Sequence, residues 1–485
     1  MKSKILNPLF FSLLVMLQVL SPACKKSFID LSDQSRIISS DYYNDSTSIS
    51  AGVNAAYAAL QDIYGKAGSG RGIWPFAEVA SDNSTSVADG VGAGDFENFA
   101  VTSANPILQS TWTGIYKCVA RCNLVLSRAP AVAMNSAIKN RYLAEMKFLR
   151  ALAYFEAVQI WGDMPLVTKE IQTVQDAYTY GRAPRDSVYQ QIIRDLMDAE
   201  TVLPASYATA DLGRATQEAA KGLLAKVYLT LQEYDLAAAK LQEFVGLFDN
   251  KPCKLLSPYS SIFLTSNEMN AEIIFAVRYT KGGYGTGSPF ANYFAPNSSI
   301  TGGIGNAGQY NTITPDLVSA FVANDTTVDT RYTASVGYFA GVKEYYTKKY
   351  LDVPASDGDA DNDWIVLRYA DVLLMYAEAL NEQGNTLPAL PYINRVRTRA
   401  GLAALPVTET QAALRLAIDV ERRLELNMEG HRWFDLVRTG RAITVMNAYF
   451  VKYASAVRID QHNLLFPVPI SEINTNPILT QNQGY

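Results

Sequence analysis

TQEAAKGLLAKVYLTLQEYDLAAAKLQEFVGLF, residues 216–248, decides the fold class. Apolar positions recur at intervals of three and four along 216–231 and again along 234–248, the period of a helix with one buried face. Small residues stand at fixed offsets in the two halves. Ala225 and Ala237 let two antiparallel helices approach, Tyr228 fills the gap beside them, and Leu224 and Leu241 complete the seam. Tyr376-Ala377-x2-Leu380, followed by Ala389 and Ile393, repeats those offsets 152 residues later. Such a pair cannot bury its face alone, so both predict a packed helical scaffold.

The two pairs resemble tetratricopeptide units, whose usual period is about 34 residues. Their wide separation predicts an array that is interrupted rather than tandem. Further helical stripes lie at Ile49–Tyr64, Met134–Trp161, 187–203, 368–382, 388–400, 411–427 and 430–439. The best strand candidate is Ile273–Tyr279 (IIFAVRY). The fold class is therefore mainly α, with long loop insertions and a few short strands. At 485 residues with 48% hydrophobic side chains, the chain has ample material for a large core, and disorder is excluded.

The N-terminus reads as an export signal. Lys2 and Lys4 precede an apolar run from Ile5 to Leu20, which is interrupted and shorter than the roughly 20 apolar residues a spanning helix needs. The signal covers 1–23, and Ser21-Pro22-Ala23-Cys24 is similar to a bacterial lipobox, which makes Cys24 the candidate lipidation site; cleavage after Ala23 by the small-x-small rule is the alternative. Net charge is −5, and loss of Lys2 and Lys4 leaves the remainder more acidic. That balance argues against a nucleic-acid partner. Cys118 and Cys122, four apart on one helical face with no histidine nearby, read as buried small apolar residues rather than a metal pair.

Three insertions differ in composition from the helices: residues 65–107 and 279–314, rich in Gly, Ser, Asn and aromatic residues, and 335–363, which holds Tyr338, Phe339, Tyr345 and Tyr346 and then the acidic run Asp357 to Asp363. Loops this long usually serve function. Of 53 aromatic residues 29 are tyrosines, which present a flat apolar face and a hydroxyl and so suit the C–H face and hydroxyl rim of a sugar. Trp74, Phe96, Tyr284, Tyr293 and Phe294 are the expected stacking residues, with Asp82, Asn83, Asp95 and Asn292 as hydrogen-bonding neighbours.

Catalytic and metal chemistry find little support. The chain holds only two histidines, His431 and His462, so His-based acid–base work and multi-His zinc sites lack material. Asp357, Asp359, Asp361 and Asp363 alternate like a calcium loop, but Asn362 and Arg368 stand where an EF-hand needs Gly and Glu, and a solvated acidic loop is expected. Gly283-Tyr284-Gly285-Thr286-Gly287 follows the strand candidate yet runs into Pro289 instead of a helix, so it is no dinucleotide turn. The charged run from Glu421 to Arg438 has the three-and-four spacing of ion pairs and reads as structural. A glycoside hydrolase acting through two carboxylates has no motif here but is a rival to a binding protein. No cofactor and no metal are expected.

Several segments together resemble the SusD/RagB family of nutrient-binding lipoproteins. They are Ser27-Phe28-Ile29-Asp30, Ser81-Asp82-Asn83, Arg150 to Phe155 (RALAYF) running into Trp161 to Val167 (WGDMPLV), Leu367 to Ala379 (LRYADVLLMYAEA), Glu429 to Arg438 (EGHRWFDLVR), Phe466-Pro467-Val468-Pro469, and Asn482-Gln483-Gly484-Tyr485. The resemblance spans nearly all of 24–485 and implies one SusD-like domain carrying variable ligand-facing loops. It also implies a protein tethered by lipid to the outer membrane, facing outward. There it would capture oligosaccharide, or in some relatives peptide, and pass it to a TonB-dependent SusC-like transporter. It implies no enzymatic activity. Ligand-contacting residues vary in the family, so the loop residues named above rest on composition alone.

Overall fold

The computed structural model describes residues 42–485, except 69, 88–91 and 250–254. The proposed signal and Cys24 lie outside the described residues. Asp45 opens the first long helix, α1 (Ser46–Tyr64), through a reciprocal cap: its carboxylate accepts from the Ser48 backbone amide at 2.7 Å and the Ser48 hydroxyl accepts from the Asp45 backbone amide at 3.3 Å. Gly65, at φ 137°, ends it. Side-chain caps also start α2 (Pro106–Arg128, Asn105), α3 (Ser136–Trp161, Asn135) and, beyond α4 (Arg185–Glu200), α5 (Gln217–Thr230, Thr216). The remaining helices named here are α6 (Tyr234–Asp249), α7 (Pro315–Ala323), α8 (Tyr369–Glu382), α9 (Thr386–Arg399), α10 (Gln411–Glu425), α11 (Arg432–Arg438) and α12 (Ala442–Lys452).

Consecutive helices pack in order: α1 on α2, α2 on α3, α3 on α4, α4 on α5, α5 on α6, and α8 on α9. The two repeat-like pairs are interrupted in sequence yet adjacent in space, because α6 packs directly on α8. Ala225, Ala237, Ala377 and Ala389 are all fully buried at these seams. The chain between Asp249 and Tyr369 leaves the stack and returns to it, so the array is continuous in space where it is interrupted in sequence.

The strands are short. β1 (Ser84–Thr85), β5 (Thr312–Ile313), β6 (Val336–Phe339) and β7 (Glu344–Thr347) form one antiparallel sheet in the order β1-β5-β7-β6. β2 (Met164–Pro165) pairs with β3 (Arg182–Ala183), and β4 (Ile273–Val277), inside the run read as a strand, pairs with β8 (Trp364–Arg368). Cys118 and Cys122 are buried and unbridged. Among the described residues no helix is long and apolar enough to cross a membrane.

Charge is buried at the seam joining the insertions to the stack. Arg368 pairs with Glu272, Glu425 and Glu429, and Arg331 pairs with Asp329, Glu421 and Glu425, all nearly inaccessible. Lys349 joins Glu429 at 2.6 Å. On the other side of α10, Arg422 holds Asp371 at 2.7 Å and Asp435 at 3.0 Å, and Arg438 holds Glu378. The Glu421–Arg438 run is thus a set of ion pairs, as its spacing predicts. Removing one partner of a buried pair costs about 3–5 kcal/mol because the other charge stays desolvated.

Candidate functional site

The first insertion does not lie on the surface as a loop. From Gly72 to Ser84 every residue is buried, and this corrects the expectation that its aromatic and polar residues face a ligand. Trp74 is fully inaccessible and meets Phe294, itself 2% exposed, edge to face at 5.4 Å. Phe96 is fully buried against Phe76 at 4.7 Å and Phe466 at 5.4 Å. These three rings bury apolar area in the core and offer no open face.

Asp82 and Asn83 are buried braces. Asp82 accepts from Arg432 at 2.7 and 3.0 Å and lies 3.1 Å from Arg423. Burial pushes its carboxyl up, but the two guanidiniums outweigh that and hold it well below the usual carboxylate range. Asn83 accepts from Arg423 at 2.8 Å. Asp95, half-buried, accepts from the Asn105 amide at 2.9 Å. Asn292, 1% exposed, ties two loops together: its Nδ2 donates to the Ile304 carbonyl at 2.9 Å and its Oδ1 accepts from the Gly358 amide at 3.0 Å.

Two of the named aromatics do reach the surface. Tyr284 is 78% exposed at the tip of a hairpin closed by the Thr280–Thr286 bridge. The acidic run, read as a solvated loop, is what holds this hairpin. Asp363 accepts from the Tyr279 amide at 2.9 Å, Asp361 from the Lys281 amide at 2.9 Å, and Asp359 from the Gly282 and Gly283 amides at 3.0 and 2.9 Å. Alternation puts three carboxylates on one side of the segment leading into β8, where they meet backbone donors of the hairpin. Gly287 must be glycine here, since a Cβ would lie 2.0 Å from the Asp359 carboxylate.

Tyr293 is half-buried, and beside it stands a partner that sequence reasoning missed. The Arg71 guanidinium lies 4.5 Å from the Tyr293 ring centre and 4.2 Å from that of Tyr310, and the two rings meet at 5.7 Å and 70°. Tyr310 is fixed by its amide, which donates to the Tyr293 carbonyl at 2.9 Å. Burial raises the Tyr293 hydroxyl above its ordinary pKa, Arg71 opposes this, and the nearby Asp357 adds to it. Asp357 is exposed and accepts from the Asn306 amide at 3.1 Å and its side chain at 3.2 Å. The 65–71, 292–310 and 352–361 segments thus converge on one cap, at the end of α1, that displays two phenols, a guanidinium, a carboxylate and a carboxamide. Nothing local marks Arg71 as its centre, because its aromatic partners lie more than 220 positions away.

The cap offers aromatic faces and hydrogen-bonding groups rather than catalytic or metal-binding ones. Its carboxylates are occupied by backbone donors or by Lys281, which pairs with Asp352 and Asp361. Among the described residues no group of three or more His, Cys, Asp or Glu is placed to hold a metal ion.

Comparison with known proteins agrees with this architecture. Residues 333–485 match the model of the SusD family, and residues 76–229 match a second model described as starch-binding, associating with outer membrane. SusD-like protein P25 of Formosa agariphila is 28% identical over 95% of this chain and 96% of its own length. The starch-binding protein SusD of Bacteroides thetaiotaomicron is 25% identical over 73% of this chain and 74% of its own. A solved laminarin-binding SusD-like protein superposes with a TM-score of 0.78 at 28% identity, covering 91% of this chain and 100% of the other. Two family models match separate parts of the chain and a relative aligns along nearly all of it, so over almost its whole length the chain is similar to the SusD/RagB family.

Proposed function

We propose that this protein captures oligosaccharide on the cap formed by Arg71, Tyr293 and Tyr310, with Tyr284 as an outlying contact. The observation that carries the reading is the packing of Arg71 against two tyrosines at a surface where carboxylate and carboxamide groups stand beside them. A sugar's C–H face stacks on a phenol while its hydroxyls reach Asp357 and Asn306. The chain is a binding protein and not an enzyme, like its SusD-like relatives. Relatives named for binding laminarin and starch support a glucan as first candidate.

Each ring contributes about 1 kcal/mol, so stacking alone leaves binding weak, and with the hydrogen bonds beside it affinity falls in the roughly millimolar range. Capture of this strength suits hand-over to a second protein. In this reading Cys24 carries lipid, the protein stands on the outer face of the outer membrane, and a SusC-like TonB-dependent barrel receives the ligand.

Calorimetry with laminari- and malto-oligosaccharides tests the capture step. Saturable heat that is weakened in Tyr293→Ala and Tyr310→Ala supports it. Heat with oligopeptides alone replaces it by the peptide-binding alternative, and release of new reducing ends from either glucan contradicts a binding role. Radiolabelled palmitate incorporated by the wild type and not by Cys24→Ala checks the anchor.

A further inference from the structure

We propose that a cleft on the flank of α1 is a second subsite, which takes one end of a neutral, hydroxyl-rich saccharide; this rests on the reading of the protein as a glycan binder. The cleft has a volume of about 330 Å³ and runs between α1, the 210–214 loop and the end of β4. That is the low end of the roughly 300–1,000 Å³ range of ligand clefts. It is distinct from the Arg71 cap, and none of the residues named as the cap contributes to it.

Its floor is apolar, made by Leu60 of α1 and Ala276 and Val277 of β4. Two carboxamides, Asn54 and Gln61, supply complementary unused groups. The Asn54 carbonyl accepts from Arg214 at 2.7 Å, and its NH2 donates to no described residue. Gln61 does the reverse: its NH2 donates to the Arg278 and Thr286 carbonyls at 2.9 and 3.2 Å, and its carbonyl accepts from no described residue. A fixed donor and a fixed acceptor beside an apolar floor match a sugar ring, whose hydroxyls act as both and whose C–H face needs apolar contact.

The charges at the cleft are already matched, which favours a neutral ligand over an acidic one. Arg214 pairs with Glu145 at 2.9 Å and Asp211 at 2.8 Å, and Arg278 pairs with Glu268 at 2.9 Å and Asp363 at 2.7 Å. An anion entering here meets guanidiniums whose attraction is neutralised at contact distance. Gln61 also links the cleft to the cap, since its bond to Thr286 anchors the base of the hairpin that carries Tyr284.

The test compares affinity across chain length, using laminari- and malto-oligosaccharides from trisaccharide to heptasaccharide. The wild type should bind the heptasaccharide of the preferred series about tenfold tighter than the trisaccharide, a gain of about 1.4 kcal/mol. Ala58→Trp places an indole in the cleft from an exposed position on α1 and should bring that ratio close to one. Asn54→Ala should reduce it several-fold. Tyr293→Ala should weaken both sugars while preserving the ratio. A wild-type ratio near one, or an Ala58→Trp ratio equal to the wild type, overturns the subsite and leaves capture at the cap intact. Absence of glucan binding at every length instead removes the glycan reading itself, and the subsite with it.

Discussion

Residues 72–86 and 280–310 read alike, as stretches of Gly, Ser, Asn and aromatic residues between helices, yet the first is core and the second brings Tyr284 fully, and Tyr293 and Tyr310 partly, to the surface. The difference lies in what each meets. Asp82 and Asn83 find Arg423 and Arg432 at the far end of the chain, and those ion pairs draw Trp74 and its neighbours inward. The 280–287 hairpin meets Asp359, Asp361 and Asp363, which bind its backbone and leave its side chains outside. A carboxylate that pairs with a side chain fixes a buried junction, whereas one that pairs with main-chain amides fixes a shape and leaves the side chains available.

The contrast is sharpest in stability. Asp82→Ala should cost about 3–5 kcal/mol in urea unfolding, because Arg432 is left buried with Asp419 as its remaining ion-pair partner. Trp74→Ala should cost a similar about 3–5 kcal/mol through the cavity it leaves. A loss under 1 kcal/mol in both would mean that the first insertion is no more buttressed than the second. Tyr293→Ala and Tyr310→Ala should weaken glucan binding about fivefold to tenfold each, since each removes about 1 kcal/mol of stacking.

The pH response of the buried first insertion and its junction has two limbs. Burial raises the Glu78 carboxyl to about 7, against the amides of Gly430 and His431 that bind its charged form. The folded protein then holds that proton more tightly than the unfolded chain, whose value is about 4.3, so stability falls as pH rises from about 4.3 to about 7 and levels off above. Asp82 and Asp435 are held below their ordinary range, with their arginine partners outweighing burial, and their contribution is present above about pH 4 and lost as pH falls further. Melting temperature should therefore peak in mild acid. Glu78→Gln should flatten the decline on the alkaline side and leave the acid limb unchanged. The smallest effect is expected at Tyr284→Ala, with stability within about 0.5 kcal/mol of wild type because the ring is exposed, and a twofold to fivefold loss for longer glucans.

Helix positions were legible in the sequence because burial on one face imposes a period that survives in any single segment. Ile49–Tyr64, Met134–Trp161 and the two repeat-like pairs fall within a few residues of α1, α3, α5/α6 and α8/α9. The spacing of Glu421 to Arg438 was legible for the same reason. The site was less so. Exposure of a loop ring depends on distant partners, and composition gives no sign of them: Trp74 and Tyr293 are both aromatic residues in Gly-rich stretches, and only the fold separates one from the other. Arg71 was missed for that reason, and the acidic run was misread because its acceptors meet main-chain amides of a hairpin about 80 positions earlier.

That run of alternating carboxylates has an implication for how such a surface changes. Because Asp359, Asp361 and Asp363 recognise peptide groups, which every residue but proline carries in the same form, and Lys281 and Thr286 already spend their side chains on Asp352, Asp361 and the Thr280 carbonyl, position 284 alone among the non-glycine residues of 281–286 is free to exchange its side chain on an unaltered hairpin. New specificity can be grafted at Tyr284 by single substitutions, without rebuilding the frame beneath it.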